Sequence, residues 1–283
     1  MAVERMAVVG AGQMGTGIAQ VGARAGLEVV LADATPEQAR AGVERMAAGL
    51  AKVVEKGKMA PEERSALLAR VKPAAALADC AAAQLLVEAI AEDEERKREL
   101  FRRLDAILAQ DAILASNTSS ISITTLAACV RRPERVLGMH FMNPPPVMEL
   151  LEIVRGLQTS DATHEAALEL ARRFGKVAVT SRDRPGFVVN RVLVPFLNEA
   201  CFALEEGLAS AEEIDAAVRL GLRHPMGPLA LADLVGLDTL LAIAEVLHRQ
   251  LGEDKYRPAP ILRQYVAAGW LGRKARRGFY RYD

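Results

Sequence analysis

One of the four histidines of the chain, His140, lies in the apolar stretch GMHFMNPPPVMELLE at residues 138–152. Glu152 closes that stretch, twelve residues after the histidine and beyond three consecutive prolines. A neutral imidazole can accept a proton near neutral pH, because an unperturbed histidine titrates at about 6.5. A carboxylate bound to its second ring nitrogen fixes the tautomer and stabilises the imidazolium. The two residues are therefore a candidate general base and its orienting group. The alternative is a core histidine near an unrelated carboxylate.

A glycine-rich turn near the N-terminus forms a second candidate site. Gly10, Gly12 and Gly15 have the spacing G-x-G-x-x-G between a predicted strand, RMAVVG, and a predicted helix. Such a turn brings the backbone close to a pyrophosphate, and the helix N-terminus offers N–H groups and a positive dipole end to it. Asp33, at the end of the next predicted strand, can accept hydrogen bonds from ribose hydroxyls. This context predicts a dinucleotide site rather than a packing turn without a ligand.

The residues after Asp33 predict which dinucleotide binds. Ala34, Thr35 and Pro36 carry no charge, and the first cation is Arg40, one helical turn further on. A 2′-phosphate would meet the Asp33 carboxylate without a nearby arginine to offset the repulsion. We therefore expect NAD to be preferred over NADP.

Strand and helix patterns alternate through the first part of the chain. This alternation predicts an α/β fold with a Rossmann-type, doubly wound, mostly parallel sheet. Ligands of such sheets bind beyond the carboxyl ends of the strands. The polar residues at or near predicted strand ends are Asp33, Glu92, Asn117, Ser119 and His140. Ser119 also fits a simple turn or helix-cap role.

Two capping boxes predict helix starts, Thr35 with Gln38 and Ser210 with Glu213. We expect the first helix to run towards Gly57. Three lysines lie near its end, Lys52, Lys56 and Lys58, and they fit a solvent-exposed face with favourable charge at a helix C-terminus.

Strand patterns disappear after VTSRDRPGF at residues 179–187, which is the best linker candidate. We predict an NAD-binding Rossmann-like domain over residues 1–184 and an all-helical C-terminal domain over residues 185–283, on the substrate side and with a role in dimerisation. Asn190 lies near the start of a long apolar helix, where Pro195 predicts a kink or an irregular turn. Apolar helices with little polar surface predict a homodimer.

Composition excludes several classes of function. Lys plus Arg equals Asp plus Glu at 36 each, and a net charge of zero argues against a nucleic-acid partner. Charged residues interrupt every long apolar stretch, and the N-terminus lacks a signal-peptide pattern, so we expect neither a membrane partner nor secretion. Three scattered cysteines show no metal-ligand spacing and predict a reduced, cytoplasmic protein without a metal.

Eight ordered blocks of the sequence resemble the L-3-hydroxyacyl-CoA dehydrogenases, in particular the bacterial 3-hydroxybutyryl-CoA dehydrogenases. The blocks are GAGQMGTGIAQ, VVLADAT, LVEAIAED, SNTSS, GMHFMNPPPVMELLE, RPGFVVNRVLVPFLNEA, HPMGPLALADLVGLD and GRKARRGFYRYD. They cover nearly the whole chain. The resemblance implies NAD-dependent interconversion of an L-3-hydroxyacyl-CoA, with a short acyl chain expected, and the 3-ketoacyl-CoA.

The resemblance also implies roles for individual residues. His140 matches the catalytic base and Glu152 its carboxylate partner, while Ser119 and Asn190 match polar groups at the reacting carbons. Ser119 and Lys56 match substrate contacts. The expected cofactor-binding residues are Gly10, Gly12, Gln13, Met14, Gly15, Asp33, Glu92, Lys97, Asn117, Ser119, Asn143 and Lys274.

The sequence departs from the family pattern at two positions. Arg276 stands where the family tail usually has a glycine, and Gly49 falls near a position that is often a serine contacting coenzyme A. Two alternative functions stay open. One is a related dehydrogenase of a polyol acid or a dicarboxylic acyl-CoA, and the other is a nucleotide-binding scaffold without turnover.

Overall fold

A computed structural model describes residues 3–283 of the chain. These residues divide into two compact units, the first ending at Arg184 and the second spanning Pro185–Asp283. The first unit is an eight-stranded sheet with helices packed against it, and the second unit is built from helices. Among the described residues, no helix has both the length and the apolar character needed to cross a membrane.

The sheet of the first unit has the order β3-β2-β1-β4-β5-β6-β7-β8. Its strands are β1 (Arg5–Val9), β2 (Glu28–Ala32), β3 (Val71–Pro73), β4 (Leu85–Glu88), β5 (Ile113–Ser116), β6 (Val136–Phe141), β7 (Leu150–Arg155) and β8 (Val177–Arg182). Its helices are α1 (Gln13–Arg24), α2 (Pro36–Glu55), α3 (Pro61–Ala69), α4 (Glu94–Ile107), α5 (Ile123–Ala127) and α6 (Asp161–Arg173). Only the β6–β7 pair of this sheet is antiparallel. The predicted α/β, mostly parallel fold is therefore confirmed.

The strands at the centre of the sheet are buried, and their register determines which polar residues lie next to one another. Every residue of β4, β5 and β6 is buried, as expected for parallel strands covered on both faces. Within this apolar layer, Glu88 of β4 lies beside Val9 on one side and Ser116 on the other. On the antiparallel pair, His140 of β6 lies directly opposite Glu152 of β7. The register alone therefore places four polar groups near one edge of the sheet.

Local capping signals were predicted correctly. Thr35 caps α2, Pro36 is its first residue, and Gln38 completes the capping box. The linker prediction was wrong in its first part, because residues 179–182 belong to the edge strand β8, which pairs with β7. The short strand β3 was also not predicted.

The second unit contains five α-helices. They are α7 (Val189–Glu205), α8 (Ala211–Gly221), α9 (Pro228–Val235), α10 (Leu237–Leu251) and α11 (Pro260–Ala267). Ser210 and Glu213 form the predicted capping box of α8. Pro195 lies inside α7, so an irregular turn at this residue is excluded. The core of the unit is formed by α7, α9, α10 and α11, with Val194, Leu197, Leu240 and Leu262 buried.

Two buried aspartates hold the C-terminal tail of the second unit. Asp233 accepts the N–H groups of Phe279 and Tyr280, each at 3.0 Å, and the Tyr282 hydroxyl at 2.9 Å. Asp215 accepts the Tyr280 hydroxyl at 2.8 Å. Burial raises the pKa of Asp233 above its usual value, although the hydrogen bonds from Tyr280 and Phe279 act to lower it. The tail is therefore a fixed part of the helical unit.

Candidate active site

The glycine turn has the shape that a pyrophosphate requires. Gly10 has a φ of +109°, and a Cβ at this residue would lie 2.4 Å from the Ala89 carbonyl oxygen. A Cβ at Gly15 would lie 1.7 Å from the Gly10 carbonyl oxygen, so neither position accepts a side chain. A Cβ at Gly12 would meet no atom within 4 Å, which leaves open space at the start of α1. No side chain caps this helix, so its first N–H groups are not bonded by a capping side chain. These features fit a dinucleotide phosphate.

Asp33 lies just after β2 and its carboxylate is held by the backbone. Its two oxygens accept the N–H groups of Ala11 and Ala34, each at 2.6 Å. Arg40 is exposed and pairs with Glu37 at 2.5 Å, so its charge does not point at Asp33 in this structure. Asp33 lines a cavity of about 1070 Å³. The other walls include Gly10, Gly12, Ala74, Ala75, Leu77, Ile90, Arg96 and Arg103.

A buried ion pair lies below the edge of the sheet. The Lys97 ammonium is 2.6 Å from Glu88 and 3.3 Å from Glu92, and Lys97 and Glu88 are at most 1% exposed. Glu88 also accepts the Ser116 hydroxyl at 2.6 Å. Glu92 and Lys97 were predicted site residues, whereas Glu88 and Ser116 were not. The available signal was a carboxylate inside the otherwise apolar strand QLLVEAI.

Glu92 organises the turn that carries Ser119. One of its oxygens accepts the Thr118 hydroxyl at 2.5 Å and the Ser119 N–H at 2.9 Å, and the Ser119 hydroxyl lies at 3.3 Å. Burial raises the pKa of the Glu92 carboxyl, but the Lys97 ammonium and the hydrogen bonds from Thr118 and Ser119 outweigh burial and lower it. Glu92 therefore stays ionised, and the hydrogen bonds that it accepts from Thr118 and Ser119 fix this turn.

Asn117 connects the ends of three strands. Its side-chain oxygen accepts the N–H of Phe141 at 2.9 Å, while its own N–H donates to the Glu88 carbonyl at 2.8 Å. The residue therefore joins the end of β6 to the ends of β4 and β5, beside its predicted cofactor role.

His140 and Glu152 form a direct pair. His140 Nδ1 lies 2.6 Å from Glu152 Oε2, with Glu152 fully buried and His140 8% exposed. A buried carboxylate is costly unless it is paired, and the imidazole N–H supplies that partner. With Nδ1 donating to the carboxylate, Nε2 becomes the basic nitrogen of the ring. The strand register thus produces the arrangement that a histidine general base needs.

The loop between β6 and β7 contacts the glycine-turn helix. Gln13 Nε2 donates to Asn143 Oδ1 at 3.1 Å, which joins two predicted cofactor residues. Met14 is partly buried and packs against the core of the first unit. Lys56 is exposed at the C-terminal end of α2.

In the second unit, Asn190 is buried in the first turn of α7. The Lys274 ammonium lies 2.6 Å from the Asp238 carboxylate. Asn198 uses both ends of its amide within the same unit, donating to the Arg257 carbonyl at 2.9 Å and accepting the Ala259 N–H at 2.8 Å. This bonding gives Asn198 a structural role.

A Rossmann-type sheet with this glycine turn, and with a histidine–carboxylate pair at the same edge, defines a class of protein, the dinucleotide-dependent dehydrogenases. Matches to two family models identify the family within this class. Residues 5–184 match the model of the 3-hydroxyacyl-CoA dehydrogenase NAD binding domain, and residues 186–282 match that of the C-terminal domain. The chain belongs to the 3-hydroxyacyl-CoA dehydrogenase family, and it is an NAD-dependent enzyme of that family.

Individual relatives match over the whole chain. A probable 3-hydroxybutyryl-CoA dehydrogenase of Bacillus subtilis is 52% identical over 283 residues, covering 100% of this chain and 99% of the relative. The mitochondrial hydroxyacyl-coenzyme A dehydrogenase of Homo sapiens is 41% identical, covering 99% of this chain and 91% of the relative. The crystal structure of the (S)-3-hydroxybutyryl-CoA dehydrogenase from Ralstonia eutropha superposes with a TM-score of 0.96 at 48% identity, covering all of both chains.

Proposed function

We propose that this enzyme interconverts an L-3-hydroxyacyl-CoA of short chain length, 3-hydroxybutyryl-CoA in particular, and the corresponding 3-ketoacyl-CoA. The observation that carries the proposal is the 2.6 Å contact between His140 and Glu152 at the edge of the sheet that also bears the glycine turn. The names of the relatives from Bacillus subtilis and Ralstonia eutropha support the short acyl chain.

In the proposed reaction, His140 Nε2 takes the proton of the 3-hydroxyl group while the C3–H bond breaks. A bound NAD, which Gly12, Asp33 and Asn143 would help to hold, would supply the acceptor for the hydride of C3. General-base help of this kind contributes roughly 10²–10⁴ in rate. Glu152 stays ionised and compensates the charge of the imidazolium, which is nearly buried. In the reverse direction the imidazolium returns the proton to the substrate oxygen.

The remaining predicted residues bind rather than transfer protons in this proposal. On substrate binding the Ser119 hydroxyl turns from its 3.3 Å contact with Glu92 and donates to the substrate oxygen, while the Ser119 N–H stays bonded to Glu92. Asn190 is assigned a substrate contact on the family resemblance alone. Gly12, Asp33 and Asn143 contact the cofactor, together with Gly10, Gln13, Met14, Gly15, Glu92, Lys97, Asn117, Ser119 and Lys274. Lys56, being exposed and cationic, attracts the coenzyme A phosphates.

The domain roles and the assembly are further parts of the proposal. Residues 1–184 bind the cofactor, and residues 185–283 complete the substrate side and form a homodimer. Five large apolar side chains of the second unit are between 49% and 77% exposed, which supports a partner surface. They are Val192, Leu208, Leu220, Leu222 and Leu234. Cys80, Cys129 and Cys201 are all free thiols, in keeping with a reduced cytoplasmic location.

The test follows the loss of NADH absorbance with acetoacetyl-CoA and with a series of longer 3-ketoacyl-CoA substrates. We expect turnover, with the highest kcat/KM for the four-carbon substrate. Activity on L-gulonate without activity on acyl-CoA would favour the polyol-acid dehydrogenase instead. NADH binding without turnover on any substrate would favour the scaffold.

A further inference from the structure

The loop between β6 and β7 cannot satisfy its own backbone carbonyls. Residues 142–149 contain Pro144, Pro145 and Pro146, which have no N–H to donate. The N–H groups of Val147 and Met148 both donate to the Pro144 carbonyl, at 3.0 and 3.1 Å. Other carbonyls of the loop therefore depend on donors from elsewhere in the chain.

Lys176, between α6 and β8, supplies such donors. Its ammonium donates to the Pro145 and Met148 carbonyls, each at 2.7 Å. The next residue, Val177, donates its N–H to the Glu149 carbonyl at 2.9 Å. One charged side chain and one backbone group thus hold the middle and the end of the loop to the edge of the sheet.

The opposite side of the loop packs against α1. A Cβ on Gly17 would lie 2.8 Å from the Pro145 side chain, so the helix and the proline ring are in close contact. Four residues earlier, Gln13 donates to Asn143. The position of Asn143 beside the start of α1 therefore depends on where the loop is held.

We propose that Lys176 is a positioning residue for dinucleotide binding, acting by fixing the β6–β7 loop so that Asn143 meets the cofactor. This inference rests on the proposed cofactor contact of Asn143. The ends of the loop are already fixed by the β6–β7 ladder, in which Phe141 pairs with Leu151. Lys176 fixes the centre of the loop, which the ladder does not hold. Loss of Lys176 should therefore affect a ligand at Asn143 more than it affects the sheet.

The experiment measures the Kd of NADH by fluorescence titration, without acyl-CoA and well below the melting temperature. For Lys176→Met we expect a rise of roughly threefold to tenfold, because the methionine keeps the volume but removes both donated bonds. Lys176→Arg should stay within about twofold of wild type, since a guanidinium can donate to two carbonyls. Lys52→Met, at an exposed lysine of α2, is the matched control and should bind NADH as wild type does.

A double-mutant cycle ties the effect to Asn143. Lys176→Met should weaken binding much less in an Asn143→Ala background than in wild type, because the two residues act through one contact. A wild-type Kd in folded Lys176→Met, with or without a lower Tm, would overturn the proposal, and so would full additivity in the cycle. If Lys176→Met does not fold, Lys176→Gln is titrated with the same expectation. Binding is measured without substrate, so the result is independent of whether His140 and Glu152 are catalytic.

Discussion

Gly138 leaves room for α5 to pack against the face of β6 that carries His140. Gly138 lies on the same face of β6 as His140, two residues earlier, and opposite Val154. A Cβ at Gly138 would lie 2.8 Å from Val154 Cβ and 3.1 Å from Ile123 Cδ1. The absence of a side chain lets α5 pack tightly there, so this face of β6 is covered up to His140 and Glu152.

Replacing His140 by glutamine tests the proposed base directly. We expect His140→Gln to lower kcat by about 10²–10⁴, because glutamine cannot accept the hydroxyl proton. The Kd of NADH should stay within about twofold of wild type, since the base acts on the substrate. Steady-state kinetics and fluorescence titration provide both numbers. Wild-type kcat in the folded variant would contradict the assignment.

The variant Glu152→Gln tests the role of the Glu152 carboxylate while His140 is left unchanged. The amide can still hold the imidazole by a hydrogen bond, but it provides no negative charge for the imidazolium. We expect kcat to fall by about tenfold or more, because the imidazolium that forms during the reaction loses its buried counter-charge. A kcat identical to wild type in the folded variant would show that the two residues do not act as a pair.

Cofactor choice is a second prediction at the level of single residues. The Asp33 carboxylate is held by two backbone N–H groups, so a 2′-phosphate would meet a fixed negative charge. We expect NADH to be preferred over NADPH by at least about tenfold in kcat/KM, or roughly 1.4 kcal/mol. Rates are compared at equal acetoacetyl-CoA. Equal rates would mean that Arg96 or Arg103, which line the same cavity, reach the phosphate.

Some helices and strands of the molecule are predictable from the sequence, and others are not. The capping boxes at Thr35 and Ser210 depend on residues within one turn, so they were predictable. The edge strand β8 is mostly exposed and has only three consecutive apolar residues, and β3 has three residues with one buried, so neither shows the apolar run of four or more residues that predicts a strand. The role of Glu88 was hidden because its partners Lys97 and Ser116 come from α4 and β5.

Glu92 should stabilise the turn after β5 in a pH-dependent way. Its folded-state pKa lies below its ordinary value of 4.5, so its contribution is present above that value and is lost as the pH falls through the folded pKa. We expect Glu92→Gln to lower Tm at pH 7 by roughly 1–2 °C, the shift that about 0.5 kcal/mol produces in a unit of this size, because the Glu92 side chain is 37% exposed and solvent screens its charge. Near pH 3 the difference between the two proteins should shrink.

The matched control for this experiment is Glu99→Gln, at an exposed glutamate of α4 paired with Arg102. Because exposed pairs contribute little, its Tm should stay close to wild type at both pH values. Thermal melts followed by circular dichroism between pH 3 and pH 7 measure all three proteins. A constant Tm difference across this range for Glu92→Gln would mean that the charge of Glu92 does not stabilise the turn.

At the scale of the whole molecule, the two units carry different kinds of surface. The first unit has the polar sheet edge and the large cavity with Asp33. The second unit fixes its tail internally through Asp215 and Asp233, yet leaves large apolar residues exposed on α7, α8 and α9. The buried carboxylates of this helical unit accept hydrogen bonds within the unit, whereas its large apolar side chains stay exposed to solvent. Such a surface is suited to contact with a second copy of the chain.

Assembly into a homodimer is therefore the prediction for the whole molecule. Light scattering after size exclusion should give twice the chain mass of 30.5 kDa at micromolar concentration. Val192→Glu combined with Leu220→Glu should shift the protein towards the mass of one chain, because burying two carboxylates in an apolar contact is costly. Leu157→Glu, at a residue of the first unit that is 88% exposed, should leave the mass unchanged. A wild-type protein with the mass of one chain would contradict the dimer, and a dimeric double variant would show that these two helices lie outside the interface.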